Sequence, residues 1–189
     1  MNEEQFKQLR WRAYRNEAPE EIIAAVELEP GLATRASGGD GETILHNACA
    51  GGHIDLARDL VDRQANVHQR DTFGKDALMC ASLNGHIPVM EFLLSRGADT
   101  TARDNRGDTA LGYAAWNEEL PACKYLITRG SDLMSKNNQG ETALDIYGDE
   151  GDVDDEDKKQ RCDELLAAFI EAKDLKIASK DQEISSLVT

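Results

Sequence analysis

Small and apolar residues return along this chain every 33 positions. Leu45, Leu78, Leu111 and Leu144 form one register, Ala48, Ala81 and Ala114 a second, and Gly41, Gly74, Gly107 and Gly140 a third; Gly31, Gly97 and Gly130 form a fourth, with Gln64 in its remaining slot. Thr43, Asp76, Thr109 and Thr142 follow the glycine turns and are residue types that cap helix N-termini, so each predicts the start of a short helix. Gly51-Gly52-His53, Asn84-Gly85-His86 and Asn117-Glu118-Glu119 then break that helix. A second helix follows, in which Ile54, Leu56, Leu60 and Val61 match Ile87, Val89, Leu93 and Leu94, and also Leu120, Ala122, Leu126 and Ile127, at helical spacing. Pro88 and Pro121 fall in its first turn, where a missing N–H costs little. The polar stretch that closes each unit predicts a hairpin finger. A fixed period of this kind means one supersecondary unit stacked on copies of itself, which yields a long surface rather than a closed pocket.

Helix, turn, helix and finger, with Thr43-Ile44-Leu45-His46-Asn47-Ala48 in the first full unit and Gly52-His53 before its second helix, resembles the ankyrin repeat over about residues 31–148. The resemblance implies an all-α ankyrin-repeat solenoid of about five repeats, including divergent N- and C-terminal caps. Its units are a cap at 1–37, repeats at 38–70, 71–103 and 104–136, and a C-terminal repeat at 137–173 that carries an acidic insertion; a polar tail at 174–189 follows. Ile44, Ala77, Ala110 and Ala143 stand where the family has proline, and the family's histidine survives only as His46, giving way to Met79, Gly112 and Asp145. In the family that histidine bonds across the turn, so the later units are expected to be looser there. Glu118-Glu119 in place of Gly-His makes the third inter-helix turn less standard.

In the N-terminal cap, Phe6, Leu9 and Ala13 share one helical face, and Ile22, Ile23 and Val26 form another behind Pro19; Lys7, Arg10, Arg12 and Arg15 supply part of a polar outer face. At the other end Leu165-Leu166 trails the register of Leu126 by 39 residues rather than 33, an insertion of six in or beside Asp149–Asp157, where seven of nine residues are acidic. The tail beyond Asp174 reads as partly helical at most.

With 36 acidic against 21 basic residues the formal charge is −15, which disfavours nucleic acid and anionic membranes as partners. No apolar run approaches the roughly 20 residues needed to cross a bilayer. With the scattered cysteines Cys49, Cys80, Cys123 and Cys162, this points to a soluble, cytoplasmic chain with reduced thiols, the nucleus also being compatible.

The resemblance implies binding through the finger tips and the exposed side of the first helices. Those positions hold Phe73, Leu83 and Trp116, large apolar residues in adjacent units, with Arg106 and Asn117 beside them. They are either partner anchors or side chains packed on their neighbours. Arg70, Arg103 and Lys136 repeat at 33, as do Arg63, Arg96 and Arg129: two basic ladders that suit an acidic partner, or solvated charges paired with nearby aspartates. The acidic run 149–157 reads as a solvated loop, a dock for a basic partner or, without EF-hand spacing, a calcium site. Cys49 lies near His46 and His53 in sequence but in a register of small packing residues, which reads as a structural thiol. No zinc spacing or phosphate loop is present, so catalytic residues, cofactors and metal ligands are expected to be none. The expected function is a protein-interaction module or scaffold, monomeric alone, without catalysis; the alternatives are a regulatory or inhibitory subunit covering an enzyme's site, and a calcium-responsive module.

Overall fold

The computed structural model describes residues 1–148 and 155–187. Its α-helices are α1 (Glu3–Arg15), α2 (Pro19–Leu28), α3 (Ile44–Ala50), α4 (Ile54–Asp62), α5 (Ala77–Leu83), α6 (Ile87–Ser95), α7 (Ala110–Trp116), α8 (Leu120–Thr128), α9 (Ala143–Gly148) and α10 (Asp155–Leu187); a 3-10 turn covers Pro30–Ala33. Among the described residues there is no strand. The odd-numbered helices pack in series as one layer, the even-numbered helices as a second, and each odd helix pairs with the even helix that follows it. The fold is an all-α ankyrin solenoid.

Seven-residue helices such as α3, α5 and α7 are too short to persist alone, so packing and caps must hold them. The caps are those the sequence named. Thr43, Asp76, Thr109 and Thr142 accept from the backbone N–H three residues on, at 3.3, 3.0, 3.3 and 3.2 Å. The packing follows the registers: Leu45, Leu78 and Leu111 are buried, as are Ala48, Ala81 and Ala114, whose small side chains let first helices approach closely. Leu60, Leu93 and Leu126 do the same for the second layer.

The fingers are joined to one another. Within them the N–H groups of Asp71, Asp104 and Asn137 donate to the carbonyls of Lys75, Asp108 and Glu141, each at 2.9 Å. Between them the N–H groups of Thr72, Asn105 and Asn138 donate to the carbonyls of Asp40, Phe73 and Arg106 at 2.9, 2.9 and 2.8 Å. Each finger tip is therefore positioned by the one before it.

Several local expectations need correction. His46 does close the first capping box, with the Thr43 N–H on its Nδ1 at 3.2 Å, and its Nε2 reaches the Lys75 carbonyl at 3.1 Å. The last unit is not looser, however: the Asp145 carboxylate takes over, accepting from the Thr142 N–H at 2.8 Å and its hydroxyl at 2.7 Å. The third inter-helix turn keeps the shape of the others, with the Glu119 N–H on the Ala114 carbonyl at 2.9 Å just as His86 bonds Ala81 at 3.0 Å. Glu118 adopts φ 54°, the left-handed conformation that glycine supplies elsewhere, and its carboxylate pairs with Arg161. Arg10 is no part of a solvated outer face; it is buried and pairs with Asp40 at 3.0 Å and Glu42 at 2.9 Å. Burial works to raise the Asp40 carboxyl, yet hydrogen bonds from Ser37 and Arg10 hold it at about 2.

α10 serves as the second helix of the last unit, with Leu165 buried and the helix packed on α8 and α9. The stretch expected to be partly helical at most continues α10 to Leu187, since 155–187 contains neither glycine nor proline to stop it. Residues 149–154 of the acidic run lie outside the described residues, and the docking and calcium readings fall mainly there.

Candidate functional site

Asp71, Asp104 and Asn137 build the finger tips. Each side-chain Oδ1 accepts from two backbone N–H groups, two and four residues on: Phe73 and Lys75 at 2.8 and 2.8 Å, Arg106 and Asp108 at 2.8 and 2.8 Å, Gln139 and Glu141 at 2.9 and 3.0 Å. These Asx turns leave the residue at the tip with no choice of direction. Phe73 occupies one such tip and is 62% exposed.

Phe73 meets the end of α5 and the face of α7. Together with Leu83, Tyr113 and Trp116 it walls a groove of about 530 Å³, which Lys75 and Arg106 also line. Leu83 is half-buried against the core, whereas Trp116 is 48% exposed. The Arg106 guanidinium lies 4.7 Å from the centre of the Trp116 ring, and the Lys75 ammonium 5.8 Å from that of Phe73. Tyr113 donates from its hydroxyl to Asp104 Oδ2 at 2.8 Å, so the carboxylate that shapes the finger also fixes the groove's floor. Burial first, and then this bond to a carboxylate, push the Tyr113 phenol well above its ordinary value, keeping it a neutral donor.

Of the residues singled out from sequence, Phe73, Leu83, Trp116 and Arg106 converge on this groove. Arg70, Arg103, Lys136 and Asn117 do not line it. Arg70 donates to the carbonyl of Arg103, and Arg103 donates to the carbonyls of Gly107 at 2.9 Å and Lys136 at 2.6 Å. That ladder stitches finger to finger. Arg63, Arg96 and Arg129 each pair with an acid of the preceding unit, Glu27 at 2.6 Å, Asp62 at 2.9 Å and Glu91 at 3.4 Å. Asn117 caps the end of α7 through its backbone.

The groove's floor was missed in the sequence. Tyr113 shares a register with Asn47 and Cys80, and Asp104 with Asp71 and Asn137, so the period that found the other rows contained both.

The thiols Cys49, Cys80 and Cys123 are buried, and burial pushes all three up, Cys80 and Cys123 to about 12, which makes them poor nucleophiles. Both ring nitrogens of His46 are engaged by Thr43 and the Lys75 carbonyl, so neither is left to activate a thiol; burial lowers its basicity. His53 and His86 bond the carbonyls of Tyr14 and Ala50 in the preceding units, at 2.6 and 3.0 Å. Among the described residues no group of three or more His, Cys, Asp or Glu side chains is placed to hold a metal, and no helix is long and apolar enough to cross a membrane.

A family model described as ankyrin repeats (3 copies) matches residues 12–104. With the stacked helix pairs already in view, that match decides the family. The chain is an ankyrin repeat protein. A protein of Rickettsia bellii (strain RML369-C), named as an ankyrin repeat protein, is 32% identical over 62 residues. That stretch is 33% of this chain and 38% of the relative, so the chain spans well under half of the protein it matches. Ankyrin repeats are in general protein-interaction modules and typically non-catalytic.

Proposed function

We propose that this ankyrin repeat protein is a binding module or scaffold that holds a partner protein in the groove between its second and third fingers and the ends of α5 and α7, without chemistry of its own. Phe73, Leu83 and Trp116 anchor the partner, with Arg106 stacked on the Trp116 ring beside them. One observation carries this reading: large apolar side chains from two adjacent repeats meet in a single open groove, with Phe73 62% and Trp116 48% exposed, while the Ala48, Ala81, Ala114 and the Leu60, Leu93, Leu126 registers are buried in stacking. Aromatic side chains that become covered on binding dominate interface energies, often at about 2 kcal/mol or more on truncation.

Arg70 and Arg103 bond finger to finger and stay clear of the partner. The test is affinity capture from the native cell with the wild-type chain and with the Phe73→Ala/Trp116→Ala variant. Proteins held by the wild type and absent from the folded variant are the expected outcome. The same proteins on both baits would put the binding surface elsewhere.

A further inference from the structure

The charges around the groove narrow what fills it, and this inference rests on the groove being the binding site. A second concavity of about 380 Å³ shares Trp116 and Arg106 with the first and is lined by Asp108, Asn137 and Glu141. Lys75 and Arg106 are the cations lining the two concavities, and both are already matched. Lys75 lies 3.4 Å from Asp71 and 4.0 Å from Glu42, and Arg106 lies 3.7 Å from Asp104 and 3.4 Å from Asp108. Glu141 accepts from Asn137 Nδ2 at 3.1 Å, a group that also donates to Asp108 at 2.9 Å, and it pairs with no cation among the described residues. Carboxylates therefore outnumber cations around the groove. An acidic partner meets repulsion here, a basic one attraction.

We propose that the occupant is an extended, basic segment of a partner protein, with a bulky apolar side chain between Phe73, Leu83, Tyr113 and Trp116 and a lysine or arginine beside Asp108 and Glu141. Neighbouring packed helices stand about 8–10 Å apart and an extended chain advances about 3.3 Å per residue, so the two side chains are about three residues apart in the segment. The cation competes with Arg106 for Asp108, which frees the face of Trp116 to be covered.

Random peptides displayed on phage and selected on the full chain test this. The selected sequences are expected to share an apolar residue with a lysine or arginine about three positions away, and a peptide so chosen to bind Glu141→Lys about tenfold more weakly and Glu141→Gln, which keeps the bond to Asn137, about threefold more weakly. Placing glutamate at the peptide's basic position restores binding to Glu141→Lys, and Phe73→Ala weakens binding to the wild-type partner charge by about tenfold or more. Selected sequences that are acidic or indifferent to charge, or affinity unmoved by both Glu141 variants while Phe73→Ala lowers it, overturn the basic segment and leave the groove standing. Peptides that no variant affects, or the absence of any selection, overturn the groove as well.

Discussion

Gly74 and Gly140 share a register and nearly the same left-handed backbone, φ 84° and 86°, yet alanine has different consequences at the two. At Gly140 an added Cβ meets nothing within 4 Å. The cost there is left-handed strain of about 1–2 kcal/mol, offset by about 0.4–1 kcal/mol because alanine restricts the unfolded chain, for a net loss of about 0.5–1 kcal/mol. At Gly74 the Cβ lies 2.8 Å from the Asn105 backbone N and 2.7 Å from its Oδ1, so the third finger has to move away from the second. That movement breaks the bond from the Asn105 N–H to the Phe73 carbonyl and the bond from Asn105 Nδ2 to the Thr72 carbonyl, both 2.9 Å. At about 1 kcal/mol each, these bring the loss for Gly74→Ala to about 3 kcal/mol. Urea titration followed by far-ultraviolet circular dichroism reads the difference, with thermal midpoints falling by about 2–4 °C per kcal/mol for a chain of this size. Gly74→Ala also shifts Phe73 and so weakens peptide binding. Equal losses at the two sites, or a greater loss at Gly140, refute the claim that bonds between fingers hold the tips in place.

Arg103→Ala removes donors to two carbonyls from an exposed side chain and is expected to cost about 1 kcal/mol in urea titration while leaving peptide affinity unchanged; a drop in affinity at unchanged stability would return that ladder to the binding surface. Gln64 holds φ 69° in the slot that Gly97 and Gly130 fill, so Gln64→Gly is expected to raise stability by about 0.5–1 kcal/mol by the same measurement, and no gain would mean the strain is relieved elsewhere. Burial lowers the folded-state pKa of His46 from its usual 6.5, so the unfolded chain takes up the proton first as pH falls. The stability this group contributes is whole above 6.5 and is lost as pH falls below it toward the folded value; the thermal midpoint of His46→Gln is accordingly expected to change less between pH 7 and 5 than that of the wild type.

The stack was legible because its packing repeats. Leu78 at one interface and Leu111 at the next face the same neighbours, so selection for the same shape writes the same residue at the same interval. Which finger-tip and first-helix positions face outward came instead from the resemblance to the ankyrin repeat, which is why Phe73, Leu83 and Trp116 stood out. What stayed hidden depends on reach rather than register. Arg70 and Arg103 repeat as a surface ladder would, and nothing in their spacing says that each guanidinium turns along the stack onto the next finger's carbonyls. Arg10 likewise reads as an outer charge until the first finger brings Asp40 and Glu42 against it. Asp145 lies where histidine was expected, and only its geometry shows that a carboxylate closes the same box.

The first full repeat shows what this architecture requires of the groove positions, and it requires little. Asp40, Asn47 and Ala50 occupy there the registers that Phe73, Tyr113 and Trp116 occupy later, and that repeat keeps the same caps and the same finger-to-finger bond, Thr72 N–H to Asp40 carbonyl at 2.9 Å. Stacking is therefore satisfied by small or polar side chains at all three. Phe73 and Trp116 add apolar surface that the fold leaves partly uncovered, and uncovered surface contributes nothing to folding. Its natural use is to be covered by something else. This is the physical reason the proposed site falls on these two repeats and not on the first, although the three share one backbone.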